Sequence, residues 1–118
     1  MTYHDRMVAA YLQCALWAST DPDGEPLDEQ CSADDWAMSA VQAAHSDCAE
    51  FVEMCQREGT DLLDAQTMGI NLWLTRNHHG AGFWDLGLGE HGERLTAIAH
   101  TFSESDAYIG DDGQVYLS

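Results

Sequence analysis

The sequence predicts an α+β fold in which N-terminal helices pack on a small antiparallel sheet of two hairpins with an intervening helix. Apolar residues recur at helical spacing over much of residues 1–69, whereas short alternating or aromatic runs separated by turn residues follow in 70–118. The length of 118 residues fits one domain. We therefore expect a single domain, 1–118, with a helical, acidic part over 1–69 and a hairpin-helix-hairpin part over 70–118.

The first helix is predicted over residues 5–19. Apolar side chains between Met7 and Leu16 recur three and four residues apart, which places them on one helix face. The run 21–26 contains two prolines and a glycine, so it is expected to end the helix.

A long second helix is predicted to follow. Ser32 and Asp35 match an acidic variant of the capping box, which marks a helix start. The helix should run to about Glu58, because Gly59 suits the left-handed position after a helix end. A short further helix, capped by Thr60, is expected over 60–67.

The remaining elements are predicted from shorter patterns. Residues 70–75 alternate and contain aromatic and β-branched side chains, which predicts a strand; the turn-like run 77–82 would return it as a second strand over 83–85. Residues 90–103 are amphipathic and predict a helix. A terminal hairpin is expected over 107–117, because Asp-Asp-Gly in its middle favours a tight turn.

The charge balance is the most unusual feature of the composition. The chain holds 21 Asp and Glu, four arginines and no lysine, with a formal net charge of -17. Direct nucleic-acid binding needs clustered Lys or Arg, and anionic lipid or phosphorylated substrates would be repelled. We therefore expect no nucleic-acid or membrane partner and favour a positively charged protein surface.

The carboxylates are unevenly distributed along the chain. Residues 1–70 carry a net charge of -12 and residues 71–118 a net charge of -5. If the net charge were spread evenly over roughly 6,300 Å² of surface, its density would be several-fold below that of duplex DNA, which carries roughly one charge per 100 Å². The carboxylates must therefore cluster on one side of the protein if it imitates DNA. The alternative is that the acids form solvated faces. If they form a stripe, the expected partner-binding acids are Asp28, Glu29, Asp34, Asp35, Asp47, Glu50, Glu53, Glu58, Asp61 and Asp64.

The cysteines and the N-terminus indicate a cytoplasmic compartment. No basic region followed by an apolar run opens the sequence, and no apolar stretch reaches membrane-spanning length. Reduced thiols are therefore expected, with no disulfides. Because no Cys-x-x-Cys pair occurs, the four cysteines are interpreted as core residues, and no metal or cofactor is expected. They are Cys14, Cys31, Cys48 and Cys55.

Two other functional classes stay open at this stage. The protein could be an interaction module that binds its partner through Trp73 and Trp84 on the predicted hairpin. A small metal-dependent enzyme could use His78, His79 and Asp85, although turn histidines that hydrogen-bond the hairpin are the simpler interpretation. No residue pattern specifies a catalytic site, so we predict that the protein is not an enzyme.

Residues 73–85 (WLTRNHHGAGFWD) resemble a motif of a family of small acidic proteins found in bacteriophages and prophages. The likeness continues through 88–90, 95–96, Ala99 and 108–113 and, more loosely, over 21–35. This sequence departs from the family pattern at Ile70-Asn71, where His-Asp is common, at His78, where Gly is common, and at Leu86, where Arg is common.

A small, acidic, phage-like chain is also similar in type to the anti-CRISPR and anti-restriction proteins that imitate DNA. The resemblance implies a phage- or mobile-element-encoded inhibitor of a host defence complex in the bacterial cytoplasm, with an anti-CRISPR protein as the leading interpretation. Its partner would be a Lys- and Arg-lined nucleic-acid-binding protein such as a CRISPR effector. Stoichiometric binding of this kind requires neither cofactor nor metal.

Overall fold

Four α-helices and one two-stranded sheet make up the fold, as described by a computed structural model of residues 1–118. This architecture confirms the predicted α+β class. Three short 3₁₀ turns, Leu27–Glu29, Ala33–Asp35 and Phe83–Asp85, lie between the larger elements. In chain order the helices and strands are α1 (Tyr3–Ala18), α2 (Met38–Arg57), α3 (Ala65–Arg76), α4 (Glu90–Ala99), β1 (Ala107–Ile109) and β2 (Val115–Leu117).

Local sequence explains where the helices begin and end. The Thr2 side chain caps α1 by accepting the Asp5 N–H at 3.0 Å, and the Asp64 carboxylate caps α3 by accepting the Thr67 N–H at 3.1 Å. Gly59, which has a φ of 70°, follows the last turn of α2, as predicted. Helix α1, Tyr3–Ala18, confirms the predicted first helix over residues 5–19 to within about two residues at each end.

A single apolar core joins the helices. Helices α1 and α3 make the most extensive contact of the molecule. They pack closely because Gly69 offers no side chain where the backbone of α1 passes over it. Beside this crossing the rings of Tyr11 and Trp73 meet edge to face, with 5.4 Å between their centroids.

The predicted first hairpin is wrong. Residues 70–75 lie inside α3, and 83–85 form a 3₁₀ turn, so 70–118 is not hairpin-helix-hairpin. Residues 71–76 are all buried, and a helix buried on every side shows no 3.6-residue polar period. Asn71, one of three buried polar residues in this run, is accommodated because its side-chain amide donates to the Thr67 carbonyl at 2.8 Å.

Three predicted helix boundaries are also corrected. The Ser32–Asp35 capping box is present, but it caps only a 3₁₀ turn. Helix α2 begins later, at Met38, because residues 36–37 are extended and the Ala37 N–H donates to the Val115 carbonyl at 2.9 Å. No helix starts at Thr60, since residues 60–64 are irregular and α3 is capped by Asp64. The last helix, α4, ends at Ala99 rather than near 103.

The terminal hairpin is confirmed. Strands β1 and β2 pair antiparallel with Tyr108 opposite Tyr116. In the connecting turn the Asp112 carboxylate accepts the Gln114 N–H at 2.9 Å and the Tyr116 hydroxyl at 2.6 Å, and Gly113 adopts a φ of 82°. None of the helices combines the length and apolar composition that crossing a bilayer requires.

Candidate partner-binding surface

The densest concentration of negative charge lies between α1 and α2, in residues 21–35, which we name the acidic loop. It contains seven carboxylates and no Lys or Arg. Five of the seven are exposed, whereas Asp21 and Asp35 are half-buried. The exposed five are Asp23, Glu25, Asp28, Glu29 and Asp34.

The acidic loop is ordered by its own side chains. Asp21 Oδ1 accepts the N–H groups of Asp23 and Glu25, each at 2.9 Å, and Asp21 Oδ2 accepts the Gln30 amide at 2.9 Å. Hydrogen bonds from the Glu25 backbone and the Gln30 side chain lower the pKa of Asp21, so its carboxylate stays ionised at neutral pH. Leu27 is fully buried and anchors the loop in the core, while its N–H donates to the Ser19 carbonyl at 3.0 Å.

Four of the ten predicted partner-binding acids lie in this loop, and one of these has a structural partner. Asp28, Glu29 and Asp34 are exposed. Asp35 Oδ2 instead accepts the Ser32 N–H at 2.7 Å, which closes the capping box. The structure therefore brings three predicted acids together with free carboxylates.

Helix α2 does not carry the predicted continuous stripe. Asp47 pairs with Arg76 at 2.7 Å and Glu53 pairs with Arg57 at 2.8 Å, which leaves Glu50 without a basic partner. The rest of the exposed α2 face is mainly small or uncharged: Ser39, Gln42, Ala43, Ser46, Ala49 and Gln56. The acidic surface is consequently centred on the loop before α2 rather than on α2 itself.

The last three predicted acids lie where α2 connects to α3. Glu58, Asp61 and Asp64 are all exposed. Asp64 caps α3, and hydrogen bonds from the Thr67 side chain and backbone lower its pKa. Whether these acids contact a partner stays a prediction, but Asp64 has a defined role in the fold.

A polar cleft joins the acidic loop to the C-terminal region. Its volume is about 510 Å³, and three carboxylates line it, from Asp21, Glu104 and Asp106. Glu104 and Asp106 are not among the acids predicted from the sequence, because only folding brings residues 104–106 beside residue 21. Trp73 also lines the cleft, and its buried indole N–H has no acceptor.

An apolar groove borders the other side of the acidic loop. We name it the α1 groove. Its volume is about 720 Å³, and most of its lining residues are hydrophobic. Asp5 and Asp28 are its two carboxylates. Trp17, whose side chain is 49 % exposed, lies on its edge.

The histidines flagged in the sequence do not gather at a metal site. The rings of His78 and His100 lie beside each other at a tilt of 32°, with 4.7 Å between their centroids, whereas His79 lines the polar cleft. Nowhere in the structure do three His, Cys, Asp or Glu side chains come close enough to hold a metal ion.

The cysteines are free thiols in the core. Cys14, Cys48 and Cys55 are buried, and Cys31 is half-buried. Burial raises the pKa of Cys14 and of Cys48 to about 12 and the pKa of Cys55 to about 11. A thiol that stays protonated at neutral pH is a poor nucleophile, so these cysteines suit packing rather than catalysis.

The tryptophan alternative loses its geometric basis. The hairpin that would present Trp73 and Trp84 together is not formed. Trp73 is 1 % exposed and cannot contact a partner, whereas Trp84 is 43 % exposed.

The basic residues leave the acidic loop uncompensated. Arg76 is buried and paired with Asp47, Arg57 pairs with Glu53, and Arg94 lies 3.9 Å from Glu90. Arg6, the fourth arginine, forms no ion pair. None of these pairs includes a loop carboxylate.

Comparison with protein-family models, curated proteins and solved structures finds no match to this chain. The proposal below therefore rests on the surface of the protein itself.

Proposed function

We propose that this protein is an acidic inhibitor, encoded by a phage or mobile element, that occupies a Lys- and Arg-lined DNA-binding surface of a host defence complex in the bacterial cytoplasm. A CRISPR effector is the preferred target and a restriction complex the second. The observation that carries the proposal is the acidic loop, in which five exposed carboxylates lie within 12 residues and no cation neutralises them. Such a protein acts by binding, without turnover.

Charge concentration supports a DNA-like role for the loop better than average charge does. The surface of 6445 Å² carries a net charge of -17, which is one charge per roughly 380 Å². Duplex DNA carries about one charge per 100 Å² when treated as a cylinder. The acidic loop is an eighth of the chain and holds a third of its carboxylates, so it is the region that approaches the density of a polyanion.

Electrostatic attraction would act both before and after contact. A negative protein is steered toward a basic channel at long range, and this steering weakens as salt shortens the Debye length to about 8 Å at 0.15 M. Once docked, the loop carboxylates would replace DNA phosphates against the same Lys and Arg side chains. Binding and DNA displacement should therefore share one salt dependence.

The test is displacement of labelled duplex DNA from purified CRISPR effector and restriction complexes. A loop variant replaces four exposed acids by their amides, which changes charge while keeping shape: Asp23→Asn, Glu25→Gln, Glu29→Gln and Asp34→Asn. A matched control removes four exposed charges that lie outside the loop and are not among the predicted partner-binding acids: Asp85→Asn, Glu90→Gln, Glu93→Gln and Asp111→Asn.

The wild-type chain and the control should displace DNA from at least one complex, and the loop variant should need about tenfold or more protein, since each tenfold corresponds to about 1.4 kcal/mol. Displacement should weaken steeply with salt. Equal potency of the loop variant and the wild type would refute the mimic, as would salt-independent binding that leaves DNA in place.

A further inference from the structure

The α1 groove has one wall made by two rows of α1 side chains. Residues four apart on a helix lie above one another on one face. Val8, Leu12 and Leu16 form the deeper row, and all three are at most 9 % exposed. The outer row runs parallel to it and consists of Asp5, Ala9, Gln13 and Trp17.

The opposite wall comes from the acidic loop, the residues that follow it and α2. Its apolar members include Trp36 and Val41. His45 on α2 fixes one end of the groove through a 2.9 Å hydrogen bond between its Nδ1 and His4 Nε2. Leu27 fixes the other end through its hydrogen bond to the Ser19 carbonyl just after α1.

The groove has a defined length and a carboxylate toward each end. Asp5 and Trp17 are twelve residues apart on α1, which corresponds to about 18 Å at 1.5 Å per residue. Asp5 lies one residue from His4, at the end closed by the histidine pair, and Asp28 follows Leu27 at the other end. A hydrogen bond from Thr2 lowers the pKa of Asp5, and no Lys or Arg lines the groove.

We propose that the α1 groove receives a three-turn amphipathic helix of the protein partner, with an apolar face and Lys or Arg at both ends. Three helical turns span about 16 Å, which matches the groove length. Apolar side chains would contact the middle of the groove and the basic ends would pair with Asp5 and Asp28. Helices commonly dock in hydrophobic grooves in this way.

Charge complementarity selects this occupant over others. A second copy of the chain would bring another net charge of -17 against the first, and an anionic lipid surface would also be repelled. A basic helix is attracted by the same field. The inference rests on the proposed function, since it identifies which element of a positively charged partner contacts the surface beside the acidic loop.

The probe is a synthetic 14-residue helical peptide in which about three central turns, with Leu at positions i, i+4 and i+8, are flanked by two Arg at each end. A control peptide has Glu in place of each Arg. Affinities are measured by calorimetry for the wild-type chain and for two pairs of variants. Each pair makes the same change inside and outside the groove: Ala9→Arg against Ala97→Arg, and Trp17→Ala against Trp84→Ala.

The positions suit this comparison because all four are exposed. The Arg-ended peptide should bind the wild type at least about tenfold more tightly than the Glu-ended one. Ala9→Arg fills the groove and adds a positive charge, so it should weaken binding about tenfold or more; Trp17→Ala should weaken it severalfold. Ala97→Arg and Trp84→Ala should bind within about twofold of the wild type, and far-UV circular dichroism checks that all variants are folded.

Several results would overturn the groove inference. It would fail if the Arg-ended peptide did not bind, if Ala9→Arg bound this peptide as tightly as the wild type does, or if the wild type preferred the Glu-ended peptide. It would also fail if light scattering showed that the wild type is a dimer and that Ala9→Arg is a monomer. If DNA displacement persists while the peptide fails to bind, the groove inference fails and the proposed function stands. If the peptide binds as expected but no complex loses its DNA, the proposed function fails.

Discussion

Arg76 Nη1 on α3 lies 2.7 Å from Asp47 Oδ2 on α2, and this ion pair joins two helices whose sequences give no sign of it. The same guanidinium donates to the Tyr11 hydroxyl at 2.9 Å and twice to the Ser103 carbonyl, at 2.9 and 2.6 Å. Four of its five N–H donors are thereby used in a buried position. One arginine connects α1, α2, α3 and the segment after α4.

Removing this guanidinium should destabilise the protein strongly. Arg76→Met leaves the Tyr11 hydroxyl and the Ser103 carbonyl without their donor, and it leaves Asp47 as an uncompensated carboxylate. We expect a loss of about 2–4 kcal/mol in the free energy of unfolding, less than for a fully buried pair because Asp47 is partly solvated.

The partner variant provides the control. Asp47→Asn retains a side-chain acceptor but leaves the buried Arg76 charge without a counterion, so it should cost about 1–3 kcal/mol. The double variant should be less destabilised than the sum of the two single variants. Urea denaturation measures all four proteins. Simple additivity would show that the pair is not coupled.

Two buried threonines should respond oppositely to the same substitution. The Thr60 hydroxyl is buried without a hydrogen-bond partner, whereas the Thr75 hydroxyl accepts the Phe83 N–H at 3.2 Å. Thr60→Val replaces an unsatisfied polar group by a methyl and should stabilise by about 1 kcal/mol. Thr75→Val leaves a buried N–H unpaired and should destabilise by about 1–3 kcal/mol. Thermal unfolding of both variants tests this contrast, and a loss of stability in Thr60→Val would contradict it.

Sequence reasoning succeeded where the signal is local. The first helix has a polar and an apolar face, Ser32 and Asp35 cap each other across one turn, and the terminal hairpin has an Asp-Asp-Gly turn. Each of these features depends on residues close in sequence. It failed for α3, because burial of residues 71–76 on all sides removes the amphipathic period that distinguishes a helix from a strand.

For the candidate surface, too, features within one segment of the sequence were predictable and contacts between distant segments were not. The density of acids in residues 21–35 is visible in the sequence, and so is the lack of a neighbouring cation. That Asp47 is paired was not predictable, because Arg76 is 29 residues away along the chain. The cleft that brings Glu104 and Asp106 beside Asp21 also exists only after folding.

Gly69 should not tolerate even one methyl group. A Cβ there would lie 2.9 Å from the Tyr11 backbone nitrogen and closer still to the Met7 carbonyl oxygen, so α1 would have to move away from α3. We expect Gly69→Ala to cost about 1–3 kcal/mol despite the better helix propensity of alanine. Gly80→Ala is the control, since nothing lies within 4 Å of its Cβ position. Equal stability of the two variants in chemical denaturation would show that the helices are not in close contact.

The Asp64 cap should make part of the stability depend on acid. Hydrogen bonds from Thr67 hold the pKa of Asp64 below its unfolded value of about 4, so the folded state favours the ionised form. The cap contribution is therefore fully present above about pH 4 and is lost as the pH falls through the lower folded pKa. Asp64→Ala should cost about 1 kcal/mol at pH 7, and its stability should converge with that of the wild type as the pH falls through the lowered pKa of Asp64.

The comparison isolates the cap because acid has a second effect on this chain. Protonating carboxylates reduces the net charge of -17 and relieves self-repulsion down to the isoelectric point near pH 4.2, and below that pH the Arg and His charges repel one another. Both changes affect the wild type and the variant alike. Asp61→Ala removes a nearby exposed carboxylate that caps no helix, so it should show no such convergence. Urea denaturation between pH 2 and pH 7 measures the three proteins. A stability gap between the wild type and Asp64→Ala that stays constant over this range would contradict a charged cap.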